Sequence, residues 1–161
     1  MTTQHTPAAA TVSAPGERDI HVERVFGATR DRVWAAYTEP EQLAQWWGRG
    51  NQLDIERWEF ERGGHWRFVE HHEGGTDGFE GRFREITPKE RLVYSFEWDG
   101  MPAHVCIDSV EFVDLGDGRT RVVIDSQFLT AADRDGMLES GMEEGMNASY
   151  RALDALLAKA G

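Results

Sequence analysis

A change of texture at Phe128 limits the possible folds more than any other feature of this chain. Before it, residues 51–128 carry repeated strand signals separated by turn residues, with no sustained helical period. After it, Leu138, Met142, Met146, Tyr150, Leu153 and Leu157 recur at three and four, the spacing of one helical face, and Thr130 can cap the start. The spacing predicts five or six strands in the first stretch, near 52–60, 65–72, 78–86, 91–98, 104–113 and 119–128. Their separators, Arg62-Gly63-Gly64, Glu73-Gly74-Gly75, Thr87-Pro88, Asp99-Gly100 and Gly116-Asp117-Gly118, supply the positive or fixed φ that tight turns need. Short loops join neighbouring strands, so the expected sheet is an antiparallel meander.

Upstream, residues 18–26 alternate Ile20, Val22 and Arg24 against His21, Glu23 and Val25, a first strand. Thr29 can cap a short helix carrying Val33, Ala36 and Tyr37 on one side. Thr38-Glu39-Pro40-Glu41 reads as a capping box opening a second one, in which Leu43, Trp46 and Trp47 share a face until Gly48. The sheet's apolar face needs a cover, and the only large one is the last helix, which at about 20 residues spans roughly 30 Å. The expected class is therefore α+β with a helix-grip architecture. A curved antiparallel sheet of about six to seven strands would wrap a long C-terminal helix, with two short helices after strand one. Residues 17–161 form this domain; residues 1–16, polar and without an apolar anchor, are expected to be a flexible tail.

The formal net charge of -12, from 17 Lys+Arg against 29 Asp+Glu, opposes binding to nucleic acid or an anionic membrane. Cys106 is the single cysteine, so no internal disulfide is expected, and in a strand it reads as a small buried apolar residue. The sequence shows neither a secretory leader nor a run long enough for a membrane span, which points to the cytoplasm. Nucleophile elbow, phosphate loop, zinc spacing and dinucleotide fingerprint are all missing, so no catalytic residue, metal or cofactor is assigned.

Six tryptophans must be sheltered somewhere. Alternation places Trp66 and Phe68 on one sheet face, and Leu92, Tyr94, Phe96 and Trp98 likewise, with Val122, Ile124 and Phe128 on the last strand. Flat rings on a concave sheet interdigitate poorly with one helix, and Gly141 and Gly145 remove side chains from that helix, at about 1 kcal/mol each relative to Ala. A solid core explains such stripes equally well; space for a ligand explains the glycines too. A small apolar or aromatic ligand is thus expected against Trp47, Trp66, Phe68, His72, Tyr94, Phe96, Trp98, Met142 and Met146. Glu70 and His72 share parity and suit a general acid–base pair, although a polar rim is the preferred reading. His71 and His72 point to opposite faces and cannot share a zinc ion. His104, Cys106 and Asp108 share parity with Val110 and Phe112, an inward polar cluster that a wet cavity tolerates better than a dry core.

Residues 19–26, Val33-Trp34, residues 40–47, Gly63-Gly64-His65-Trp66-Arg67-Phe68, Gly81, residues 85–93 and Gly118-Arg119-Thr120 together resemble the proteins related to the activator of the heat-shock chaperone ATPase. These belong to the START-like (SRPBCC) superfamily, with the birch-pollen allergen and polyketide cyclases as distant relatives. The resemblance covers about residues 18–159 and implies a helix-grip fold with a hydrophobic cavity, a ligand-binding or carrier role and a stress-response setting. It also implies two alternatives: a cyclase-, dehydratase- or hydrolase-like enzyme using the same cavity, or a co-chaperone-like module with a chaperone partner, monomeric or homodimeric. The chain departs from the pattern in having Gly141-Met142 where Gly-Trp is frequent, which reshapes the pocket. The further N-terminal domain of the eukaryotic co-chaperone has no counterpart in this sequence, so chaperone stimulation is not expected to carry over.

Overall fold

The computed structural model describes residues 9–159. The chain runs β1 (Thr11–Ser13), β2 (Asp19–Phe26), α1 (Arg30–Thr38), α2 (Pro40–Leu43), β3 (Gln52–Trp58), β4 (His65–His72), β5 (Gly75–Thr87), β6 (Arg91–Trp98), β7 (Cys106–Asp114), β8 (Thr120–Phe128), α3 (Ala131–Glu139) and α4 (Met142–Lys159). One eight-stranded sheet has the order β1-β2-β8-β7-β6-β5-β4-β3, with β2 antiparallel to β8. Every strand from β3 to β8 therefore pairs with its chain neighbour, as the turn signals require, and β2 extends the sheet beyond β8.

Period-two alternation decides the inner face. In β2, Ile20, Val22, Arg24 and Phe26 are buried while His21, Glu23 and Val25 are half-buried. The two turns of α4 that meet this face carry Tyr150, Leu153 and Leu157, all buried, and Tyr150 packs edge-on against Phe26 at 5.2 Å. Leu153 has no accessible surface, so truncating it to Ala would forfeit about 2–5 kcal/mol. Arg24, buried on this face, donates from both terminal nitrogens to the Asp154 carboxylate at 2.6 and 2.7 Å, tying α4 to β2.

The structure departs from the sequence expectations at several points. The C-terminal helical pattern is two helices: Gly141 adopts φ 85°, the left-handed region, and ends α3 so that α4 starts afresh at Met142. Leu138 consequently lies on α3, 37% exposed, off the buried stripe of α4. The expected tail is docked along part of its length, because Thr11, Val12 and Ser13 pair with Glu23, Val22 and His21 and Ala10 is buried. That strand raises the sheet from the expected six or seven to eight. Residues 1–8 of the expected tail lie outside the described residues. Thr29 caps α1 through its hydroxyl as expected, but Thr38 caps nothing; its hydroxyl donates back to the Trp34 carbonyl at 2.8 Å.

Candidate functional site

Along the inner face the packing changes from one end to the other. At the end nearest α1, Phe83, Leu92, Val110, Phe112 and Val122 are closed to solvent. Two or four residues further along the same strands, Phe79, Tyr94, Phe96, Asp108, Ile124 and Ser126 keep accessible surface although they face the same side. The difference arises above the sheet: the closed end is covered by α1 and the aromatic cluster of Trp34, Tyr37 and Phe112, with ring centroids 5.3 and 5.1 Å from Phe112. The open end faces the start of α4, where Met142 and Met146 are only half-buried against the core. Large rings form its wall, with Trp47 5.1 Å from Phe79, Phe79 5.6 Å from Phe96, and Trp66 5.8 Å from Tyr94. The β6–β7 loop, the β8–α3 join and α3 lie at this end, and each presents an exposed apolar residue: Met101, Leu129 and Leu138. No residue of α3 is fully buried, and polar ties fasten it, His104 Nδ1 to Asp133 at 2.7 Å and Arg134 Nη1 to the Gly16 and Asp19 carbonyls at 2.5 and 3.1 Å.

One polar row crosses this apolar wall. The register sets Tyr94 opposite Asp108 and Asp108 opposite Ser126. Asp108 Oδ1 accepts the Ser126 hydroxyl at 2.6 Å and lies 3.8 Å from the Cys106 thiol. Burial among apolar groups disfavours the carboxylate and pushes its pKa up to about 6, against the smaller opposing pull of those two donors. The same burial, then the Asp108 charge, drives the Cys106 thiol far above its ordinary range, so Cys106 is an inert core thiol.

Of the expected ligand-binding residues, Trp47, Tyr94, Phe96, Met142 and Met146 gather at the open end, and His72 is half-buried on its margin. Trp66 and Phe68 are buried beneath the other rings, 4.9 Å apart. Trp98 keeps the inward parity but stands where β6 runs out, 39% exposed, with its indole donating to Asp77 Oδ1 at 3.0 Å. It is a rim residue. The acid–base pair does not form: Glu70 is buried and accepts from Arg49 at 3.0 and 2.6 Å and Asn51 at 2.7 Å, whereas His72 pairs with Asp77 at 2.8 Å. The inward cluster on β7 holds for Cys106 and Asp108; His104 is half-exposed and outside it. Phe79 and Ser126 were missed. Parity finds Phe79 once β5 is paired to β4, since it stands opposite Phe68; Ser126 carries no signal until Asp108 is known to be its neighbour.

A surface depression at the far end of the β4–β6 strands is lined by Arg67, Asp77, Gly78, Trp98 and Asp99, and in it Arg67 and Asp99 pair with each other at 2.7 and 3.0 Å. Among the described residues no cluster of three or more His, Cys, Asp or Glu could hold a metal ion. No helix of the described residues is long and apolar enough to cross a membrane.

The family model described as Activator of Hsp90 ATPase homolog 1-like protein matches residues 27–158. Solved structures share the fold. A protein from Rhodobacter sphaeroides is 28% identical with a TM-score of 0.84, over 93% of this chain and 98% of that one. A protein from Arthrobacter aurescens is 26% identical with a TM-score of 0.84, over 96% and 93%. A protein from Mycobacterium smegmatis, at 19% identity and a TM-score of 0.82 over 92% and 96%, shows the fold alone. The comparison with curated proteins found no match.

Proposed function

The chain belongs to the Activator of Hsp90 ATPase homolog 1-like family, and from that premise we propose that its interior, between the open end of the inner sheet face and the start of α4, holds one small apolar, ring-containing molecule. The observation that carries the reading is the contrast within single strands: Leu92 is sealed while Tyr94 and Phe96 keep accessible surface, and Val122 is sealed while Ile124 and Ser126 do. A solid core would seal both ends, because buried side chains pack at crystal-like density. Aromatic walls with a few polar groups are what small-molecule sites usually present. The apolar side chains of Met101, Leu129 and Leu138 would line the approach, and α3, held by polar ties, would be the element that moves aside.

The test is titration with a panel of lipophilic ring compounds, read by tryptophan fluorescence and by thermal shift. Binding in the micromolar range, with quenching and a raised Tm, is expected. Absence of both across the panel would remove the proposal.

A further inference from the structure

We propose that this interior, if it is the binding site argued above, selects lipophilic amines: an apolar ring body against the aromatic wall and a protonated nitrogen on Asp108.

The argument rests on what the protein leaves undone around that carboxylate. Oδ1 is committed to Ser126 at 2.6 Å and faces the Cys106 thiol. Oδ2 has no hydrogen-bond partner among the described residues, and it is not one of the buried polar atoms sealed from solvent. It therefore opens onto the accessible end of the interior. Among the described residues no positive charge answers it. The ionisable groups that sense Asp108 are Tyr94 from β6, Cys106 from β7 and Tyr150 from α4, and all three are acids. The buried guanidinium of the inner face, Arg24, is spent on Asp154 and lies over the Phe26 ring at 4.6 Å. His104, two residues before Cys106, is tied to Asp133 outside the interior.

A carboxylate with one unanswered oxygen in apolar surroundings is unfavourable by itself, and a bound cation removes that penalty. An anionic ligand would meet repulsion; a purely apolar one would leave the penalty standing. The surrounding rings add to the same preference, since Tyr94 stands directly across from Asp108 and aromatic faces attract cations. Selection then comes from the polar point and affinity from the wall.

The experiment compares four probes of one shape at pH 8 by equilibrium dialysis: 2-methylnaphthalene, 2-naphthylmethanol, 2-naphthylmethylamine and 2-naphthoic acid. The amine should bind about tenfold or more tightly than the alcohol, as a charge-assisted hydrogen bond exceeds a neutral one, and the acid should bind most weakly. In Asp108→Asn the amine should fall to the level of the alcohol while 2-methylnaphthalene is unaffected, which also reports that the variant is folded. Equal binding of amine and alcohol overturns the inference and leaves the binding site intact. An amine preference that survives Asp108→Asn overturns it as well, assigning the effect to the net charge of -12. If none of the four binds, the site itself fails and the selection with it.

Discussion

The side chain of Arg49 crosses α4 at its only glycine: a Cβ added at Gly145 would stand 3.1 Å from Arg49 Cδ. Arg49 lies outside the strands, and its amide donates to Ser149 Oγ at 2.9 Å while the guanidinium reaches down to the buried Glu70 carboxylate at 2.6 and 3.0 Å. The room at Gly145 belongs to this clasp between the α2–β3 loop, α4 and β4. It is not ligand space.

Arg49→Ala should lower stability by about 1–3 kcal/mol, because it leaves a buried carboxylate with Asn51 as its remaining side-chain donor. Arg49 is itself 46% exposed, so water can replace part of the loss and the lower half of that range is expected. Urea midpoints of the two proteins measure it, and an unchanged midpoint would show that the clasp contributes nothing.

Removal of residues 1–14 should lower the Tm by about 3–6 °C, equivalent to roughly 1–2 kcal/mol for a chain of this size. It strips β1 from the edge of β2, uncovers Val22, and takes away the Ala10 amide that donates to Asn147 Oδ1 at 3.0 Å. A melting curve identical to that of the intact protein would mean that β1 is held without contributing.

The strand meander was legible because each separator marks a turn locally and each strand keeps one parity, so Trp66, Phe68, Tyr94 and Phe96 fall on one face without knowledge of the fold. The break at Gly141 was not, since Leu138, Met142 and Met146 continue the four-residue spacing straight across it and periodicity does not register a single left-handed residue. Strand β1 was hidden for a different reason: it is held by backbone pairing over three residues, with Val12 and Ala10 as its apolar contacts. Glu70 looked like a chemical group because its partners, Arg49 and Asn51, lie 21 and 19 residues away, beyond any local pattern. Asp108 was visible as parity alone; its neighbours Tyr94 and Ser126 lie on other strands, 14 and 18 residues away, and appear only once the strands are paired.

Asp108 should also set a pH dependence. Its folded pKa of about 6 lies above the ordinary 3.8, so between these values the folded state holds more protons than the unfolded one, and stability falls as pH rises through that window. The loss is on the order of 2–3 kcal/mol and is complete above it. Asp108→Asn should abolish this slope and be the more stable protein at pH 8. His21, raised by its hydrogen bonds to Glu23 and then Asp125, contributes stability that is lost as pH rises through its own higher range, in both proteins alike. The difference between parent and variant in urea midpoints from pH 4 to pH 8 isolates Asp108; parallel curves would show that its carboxyl is not destabilised by burial.

The kink at Gly141 makes Met142 the first residue of α4, half-buried and set against the core at the open end of the interior. Met142→Trp adds roughly one to two water volumes at that point. In open space the indole fills without displacing neighbours, so the denaturation midpoint should stay within about 0.5 kcal/mol of the parent or rise, while affinity for 2-methylnaphthalene should drop about tenfold through lost volume. In a filled core the same ring would force rotamers and backbone aside and lower stability by about 1–3 kcal/mol, with no ligand effect to accompany it. The two measurements together separate the cases: a stable variant with weakened binding supports an occupied interior, and a destabilised one with unaltered binding places the ligand elsewhere or nowhere.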